Sequence, residues 1–347
     1  MLSAHELYLF KTLTELNAVS GNEKQVRDYL KNVYTNLGYE LITSDLGVVI
    51  AHKKSRKANA PKVYIDGHMD EVGFIVGNLL DDGTVKLIPI GGLSIKDVLD
   101  TSYRLTTSTG KEYIGFIKNK DDENITIDDL ILEIGFMSKK ELLDNDVNFG
   151  DMVTFVSDFV DEGDDLYSGK CIDNRYGIVL GLEVLEYFKD KELPFDLYVG
   201  GSLQEEVGLR SAKSIVNLLK PDLVIVLDCS RAKDEPSELG HIGEGLLIRF
   251  YDRVMIANKA LLDLQINAAK KRNVPYQYFT TLGGTNAGSF HVEGSGTFTL
   301  NHCICAKSIH TPRAYMRGID YVAARESLLE ILENFDEKTL EMLRKSF

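Results

Sequence analysis

Strand–helix alternation governs most of this chain, but it stops between Gly73 and Ser157. There the sequence breaks into short β-like runs, GFIVGNLL, TVKLIPI, SYRLTTSTGKEYIGFI and DMVTFV, separated by turn signals such as DDG and GG. Apolar and β-branched runs bounded by Gly and Asp read as the strands of a small all-β unit. A chain that leaves an α/β pattern, runs through such a unit and then returns to α/β has one economical architecture. That architecture is an α/β domain of residues 1–70 plus 165–347, interrupted by an all-β, barrel-like insertion of residues 71–164.

The α/β part reads element by element. Two helices open the chain. The second follows Ser20 and Glu23, which have capping-box spacing, and carries Val26, Leu30, Val33 and Leu37 near helical period. Residues 39–52 read as a hairpin turning near Asp45-Leu46-Gly47, and PKVYID as a short buried strand that delivers His68 and Asp70. Beyond Gly169, residues 173–188 read as a helix, FDLYVGGSL as a strand and 208–219 as a helix. PDLVIVLD and LLIRFYD are strands, 259–272 a helix, GTFTLNHCI a late strand and 321–343 an amphipathic helix.

Charge narrows the partners. With 53 acidic against 39 basic residues the formal charge is -14, which repels nucleic acid and anionic membrane. No stretch approaches the ~18 consecutive apolar residues of a membrane span, and the N-terminus lacks the basic start and apolar run of a signal peptide. Cys171, Cys229, Cys303 and Cys305 fit no disulfide framework and no CxxC pair. A cytoplasmic setting is expected.

Five short motifs carry the chemistry: GHMDEVG with His68 and Asp70, GKCIDNRYG with Asp173, QEEVGLR with Glu205 and Glu206, VLDCS with Asp228, and SIHTPR with His310. Strand ends and strand–helix turns supply most of them, where α/β folds place their sites. Each alone has a plain structural reading. Asp173 can cap its helix, and Glu205-Glu206 can be favourable charge at a helix start. Asp228 is harder to dismiss, because a carboxylate directly after VIVL lies near the core and needs a partner. Together the motifs offer two imidazoles and at least three carboxylates, a donor set suited to divalent ions of the zinc or cobalt kind.

On these motifs, with AVSGNE at 18–23, GEGLLIRFYD and GGTNAG, the sequence resembles the glutamyl and tetrahedral aminopeptidase family of dinuclear metallopeptidases. QEEVGLR and IRFYD resemble the glutamyl branch most. The resemblance implies a mixed-sheet, zinc-peptidase-like catalytic domain and two divalent metal ions per subunit, zinc or cobalt. It implies that Asp173 bridges the ions, that Glu206 and His310 complete one site, and that His68 and Asp228 complete the other. Glu205 would be the general base, and Asp70 would orient His68. Two-oxygen carboxylates suit the bridging role, and a ligating histidine needs a partner for its second nitrogen. The resemblance further implies short peptide substrates and a homo-oligomer, on the family pattern a dodecamer.

Three departures flank the implied site. GGTNA places Asn286 where the family has an acid, Lys307-Ser308 replaces an arginine–tyrosine pair, and Thr311 follows His310 in place of serine. Resemblance to the glutamyl branch suggests removal of N-terminal Glu or Asp, which requires a cation in the pocket. Arg253 and Lys259, both following IRFYD, are candidates, and Lys307 can add positive charge. The departures also motivate a second reading, a metal-binding homologue with weak or no activity acting as a scaffold. Retention of Glu205 argues against it. A glycoside hydrolase, which would want flanking carboxylates with aromatic platforms, fits poorly with a chain that has no Trp.

Overall fold

The computed structural model describes residues 1–119, 121–235 and 237–346. Its centre is an eight-stranded mixed sheet. Across it the strands run Glu40–Thr43, Val49–Lys53, Asp196–Ser202, Lys62–His68, Leu223–Arg231, Phe298–Ala306, Leu246–Tyr251 and Tyr276–Thr280. The four central strands, from Asp196–Ser202 to Phe298–Ala306, are mutually parallel, so their C-terminal ends line up along one edge. Leu223–Ser230 is buried throughout, as a parallel strand covered on both faces must be.

The helix Ile172–Phe188 packs against the strands Lys62–His68 and Leu223–Arg231. Its approach is very close at one point. A Cβ on Gly67 would meet the backbone carbonyl carbon of Gly177 at 2.8 Å. A side chain at Gly67, one residue before His68, would push this helix off the sheet.

The insertion is a closed, all-antiparallel six-stranded barrel between Gly73 and Phe155. Phe74, Tyr103, Leu105, Leu132, Val153 and Phe155 belong to its own core. A small third sheet, Val160–Gly163, Leu166–Gly169 and Ala314–Arg317, follows the barrel and joins it to the C-terminal part of the chain.

Several local expectations change. The Ser20–Glu23 capping box does not form. The helix Lys24–Leu37 starts after Glu23, which makes no side-chain cap bond. The helix expected over 208–219 is confined to Ala212–Leu219, because Gly208 and Leu209 have positive φ. Asp173 is not helical: it and Asn174 carry non-helical angles before the helix proper. The amphipathic stretch 321–343 is two helices, Gly318–Asn334 and Glu337–Arg344, because Asp336 caps a new start by accepting from Thr339 N. The edge strand Tyr276–Thr280 was not anticipated. Among the described residues no helix is long and apolar enough to cross a membrane.

Candidate metal centre

Sheet register assembles the first cluster. Val226 pairs with Asp66, so Asp228 comes level with His68 two residues later on the neighbouring parallel strand. Ser202 pairs with His68 on the other side, and the turn that follows it carries Glu205 and Glu206. Asp173 faces the same edge from the start of its helix, held in extended backbone. His310 arrives from the loop between Phe298–Ala306 and Ala314–Arg317, with φ 64.

The side chains converge as two groups sharing one residue. His68 Nε2 lies 3.1 Å from Asp173 Oδ1 and 3.8 Å from Asp228 Oδ1. His310 Nε2 lies 3.2 Å from Glu206 Oε2 and 3.5 Å from Asp173 Oδ2. Each trio, His68–Asp173–Asp228 and Asp173–Glu206–His310, can offer ligand atoms within 4.8 Å of one another. Asp173 therefore gives one oxygen to each group.

Both histidines present the same nitrogen. His68 Nδ1 lies 3.1 Å from the Asp70 carbonyl oxygen and 3.4 Å from its Oδ1. His310 Nδ1 lies 2.9 Å from the carbonyl of Gly92, in the turn after a barrel strand. With Nδ1–H donating in each case, the Nε2 lone pairs face the carboxylates, as ligation requires. Sequence reasoning missed Gly92, because a backbone carbonyl leaves no trace in residue type.

The electrostatics call for positive charge. Burial, then the neighbouring carboxylates of Asp228, Glu206 and Asp173, push Glu205 well above the usual range against the opposing pull of His68. Burial and Asp173 do the same to Asp228. Burial also acts to raise Asp173, yet hydrogen bonds from His310 and His68 hold it below the usual carboxylate range. Burial acts to lower His310, but Glu206 and Asp173 push it up to about 11. Positive charge between these carboxylates relieves their repulsion, and divalent ions held here would supply it and leave the imidazoles neutral. Glu206 Oε1 is buried with no hydrogen-bond partner, which suits a carboxylate oxygen waiting on an ion. The residues present fit a two-ion centre.

Residues 47–326 match the family model described as M42 glutamyl aminopeptidase. The chain belongs to that family. It is an aminopeptidase by membership, and three comparisons illustrate the relation. Over 96% of its length, and 97% of the relative's, it is 33% identical to the glutamyl aminopeptidase of Lactococcus lactis subsp. cremoris. It is 27% identical to the lysyl aminopeptidase of Pyrococcus furiosus, over 94% of this chain and 98% of that one. The solved TET aminopeptidase from the marine sediment archaeon Thaumarchaeota archaeon SCGC AB-539-E09 superposes with a TM-score of 0.91 at 28% identity, covering 98% of this chain and 99% of that one.

In this M42 aminopeptidase a cavity of about 530 Å³ opens over Asp173, Glu205, Glu206, Asp228 and His310. Its other wall carries Arg231, Lys233, Arg249, Thr281 and Gly283. The cations expected for the pocket are not on its wall. Arg253 is exposed in a turn. Lys259 is 86% exposed and pairs with Asp263 along its own helix, and Lys307 pairs with Asp234 on the surface. The pairing of the strand Leu246–Tyr251 is irregular between Arg249 and Tyr251, and of the residues just beyond it Val254, not Arg253, lines the cavity. Arg231 and Lys233 sit just past VLDCS, at the C-terminal end of the strand that carries Asp228. That position was the available signal for them.

Asn286 has a structural place. It is buried, and its Nδ2 donates to Asp66 Oδ2 (2.9 Å) and lies 2.9 Å from Ser202 Oγ. Asp66 also accepts from Tyr64 and Ser202. An acid at 286 would face this buried carboxylate with like charge, whereas the amide supplies a donor.

Proposed function

We propose that this M42 aminopeptidase is a dinuclear enzyme that removes N-terminal residues, preferentially Glu or Asp, from short peptides in the cytoplasm. The single observation that carries the dinuclear reading is the division of the Asp173 carboxylate, with Oδ1 toward His68 and Oδ2 toward His310.

Zinc or cobalt ions held by His68, Asp173 and Asp228 on one side, and by Asp173, Glu206 and His310 on the other, would supply Lewis acidity and lower the pKa of water. The chain's own residues do the rest. Glu205 lines the cavity beside both groups and is the carboxylate not used as a ligand. It accepts the proton of the attacking water and delivers it to the leaving amine. Asp70 and Gly92 hold the two imidazoles in the ligating tautomer.

Acidic preference is supported by Arg231 and Lys233, which differ from Arg253, Lys259 and Lys307 in lying on the cavity wall; Arg231 donates to the Ile309 carbonyl there, and Lys233 pairs with Glu238 at 3.4 Å, a partner that a substrate carboxylate would displace. Arg249 is engaged by Asp252, Ser230 and the carbonyl of Gly283, so its role there is to anchor the 283–284 turn. The family itself spans glutamyl and lysyl names.

The division of labour is part of the proposal. Residues 1–70 plus 165–347 form the catalytic unit, and the β unit of 71–164 serves assembly and substrate access in a homo-oligomer, a dodecamer on the family pattern. The exposed Ile88, Ile114, Phe116 and Met137 on the β unit support this.

The test is a panel of aminoacyl anilides assayed after chelation and after reloading with zinc or cobalt. Turnover that disappears and returns with metal, fastest on Glu and Asp, is expected. Turnover insensitive to chelation would overturn the metal reading, and preference for Leu or Lys would overturn the acidic one.

A further inference from the structure

Ser20 and Glu23, whose spacing suggested a helix cap, direct their side chains elsewhere. The Ser20 hydroxyl donates to Asp70 Oδ2 at 2.7 Å, across fifty residues of chain. Glu23 Oε1 accepts from Gly21 N at 2.8 Å and from Gln204 N at 3.3 Å. Both carboxylates are withdrawn from solvent, Asp70 completely.

The turn they reach is the one that carries Glu205 and Glu206. Three consecutive amides in it each donate to a buried carboxylate. Gln204 N donates to Glu23, Glu205 N to Asp70 Oδ1 at 3.0 Å, and Glu206 N to Asp70 Oδ2 at 3.1 Å. The turn needs such support. Gln204 has φ 53, a left-handed conformation that a side chain disfavours and that persists only when its surroundings hold it. Three successive anchored amides fix the backbone at the point where two adjacent glutamates must point to different tasks.

The segment supplying these anchors is itself fastened to the other metal loop. Ala18 N donates to Glu71 Oε1 at 3.0 Å, Glu71 N donates to the Ala18 carbonyl at 2.9 Å, and Val19 bridges Glu71. One stretch of chain therefore ties the His68 loop to the Glu205–Glu206 turn, with Asp70 as the shared node.

We propose that residues 18–23 are a positioning clamp for the reaction, with Ser20 and Glu23 as positioning residues that act through Asp70 and the Gln204 amide on Glu205 and Glu206. This rests on the reading of Glu205 as base and Glu206 as ligand. Ser20 fixes the rotation of the Asp70 carboxylate, so that its two oxygens meet two successive amides while its other contacts orient His68. Glu23 needs only an acceptor oxygen, so a neutral amide can do its work.

The test uses the full chain and compares Ser20→Ala, Ser20→Thr, Glu23→Gln and Glu23→Leu. Readouts are kcat and KM on an anilide with saturating zinc, the zinc dissociation constant, and Tm. Ser20→Ala is expected to lower kcat, and weaken zinc binding, by ~10–100-fold with little change in KM, the usual effect of losing a partner behind a ligand. Ser20→Thr, which keeps the hydroxyl, should recover most of both. Glu23→Gln should stay near wild type, while Glu23→Leu should fall like Ser20→Ala. Wild-type kcat and zinc affinity in Ser20→Ala would overturn the clamp, as would a loss that follows Tm and that threonine fails to restore. An inactive wild type would count against the aminopeptidase reading only, and the zinc dissociation constants of the same variants would still decide the clamp.

Discussion

Gly67 and Gly177 touch through bare backbone: a Cβ on Gly67 would lie 2.8 Å from the Gly177 carbonyl carbon. This close approach sets the separation between the strand that ends in His68 and the helix that begins after Asp173. The 3.1 Å contact between those two side chains depends on it. Gly67→Ala is therefore expected to destabilise the fold by about 1–3 kcal/mol, the usual cost of overpacking. It should also weaken metal binding, because the helix and its aspartate must retreat. Denaturant unfolding and a metal titration on the same variant check this. Wild-type metal affinity in a destabilised Gly67→Ala protein would detach the glycine contact from the site.

Glu205→Gln keeps the side-chain shape and removes the proton acceptor. Turnover should fall by ~10²–10⁴-fold with bound metal unchanged, the typical worth of a positioned base. Asp173→Ala should lose both metal and turnover. Steady-state kinetics beside elemental analysis separates the two, and near-normal rates in Glu205→Gln would remove Glu205 from the base role.

Removing the cavity cations tests specificity. Arg231→Met and Lys233→Met should each raise KM for a Glu anilide by about 10-fold, the equivalent of one charge-assisted contact. A Leu anilide should respond little, and Lys259→Met should change neither. Equal effects on Glu and Leu substrates would show that these cations do not read the side chain.

The acid limb of stability has a buried contributor that is not on the cavity wall. Burial lowers His302 to about 4, and its ring sits between the Gln265 amide, 3.1 Å from Nδ1, and the Ala324 carbonyl, 2.8 Å from Nε2. A neutral ring satisfies both. Because the folded value lies below the unfolded one, the unfolded chain binds the extra proton between them. This contribution is complete above about 6.5 and is lost as pH falls toward 4, in total roughly 3 kcal/mol. The wild-type Tm should fall through that window more steeply than that of His302→Gln. Parallel curves would mean that His302 is not the group responsible.

Asn286→Leu removes the amide donor from buried Asp66. An unsatisfied buried acceptor costs about 1–3 kcal/mol or more, so Tm should drop, with zinc stoichiometry preserved because Asn286 is not a ligand. A variant as stable as wild type would show that Tyr64 and Ser202 suffice for Asp66.

Much of this was legible in residue order. The change of texture at Gly73 marked the barrel, because period-two runs broken by turns leave a direct trace. The apolar run before Asp228 placed that carboxylate at a strand end, and strand ends in a parallel sheet fall together. What stayed hidden depended on contacts distant in sequence. Ser20 and Glu23 have a helix-cap spacing, yet their partners are Asp70 and the Gln204 amide, which no local pattern encodes. The Gly92 carbonyl behind His310 has no side chain to announce it. Arg253 and Lys259 lie close to the cavity strand in sequence, but both are exposed, and Lys259 pairs with Asp263 on its own helix.

Metal stoichiometry decides whether Asp173 joins two metal sites. Apo protein would be titrated with zinc and the bound metal measured per chain by elemental analysis, with activity followed in parallel. Two equivalents at full activity are predicted, with Asp173→Ala holding neither tightly. Full activity at a single persistent equivalent would contradict the account.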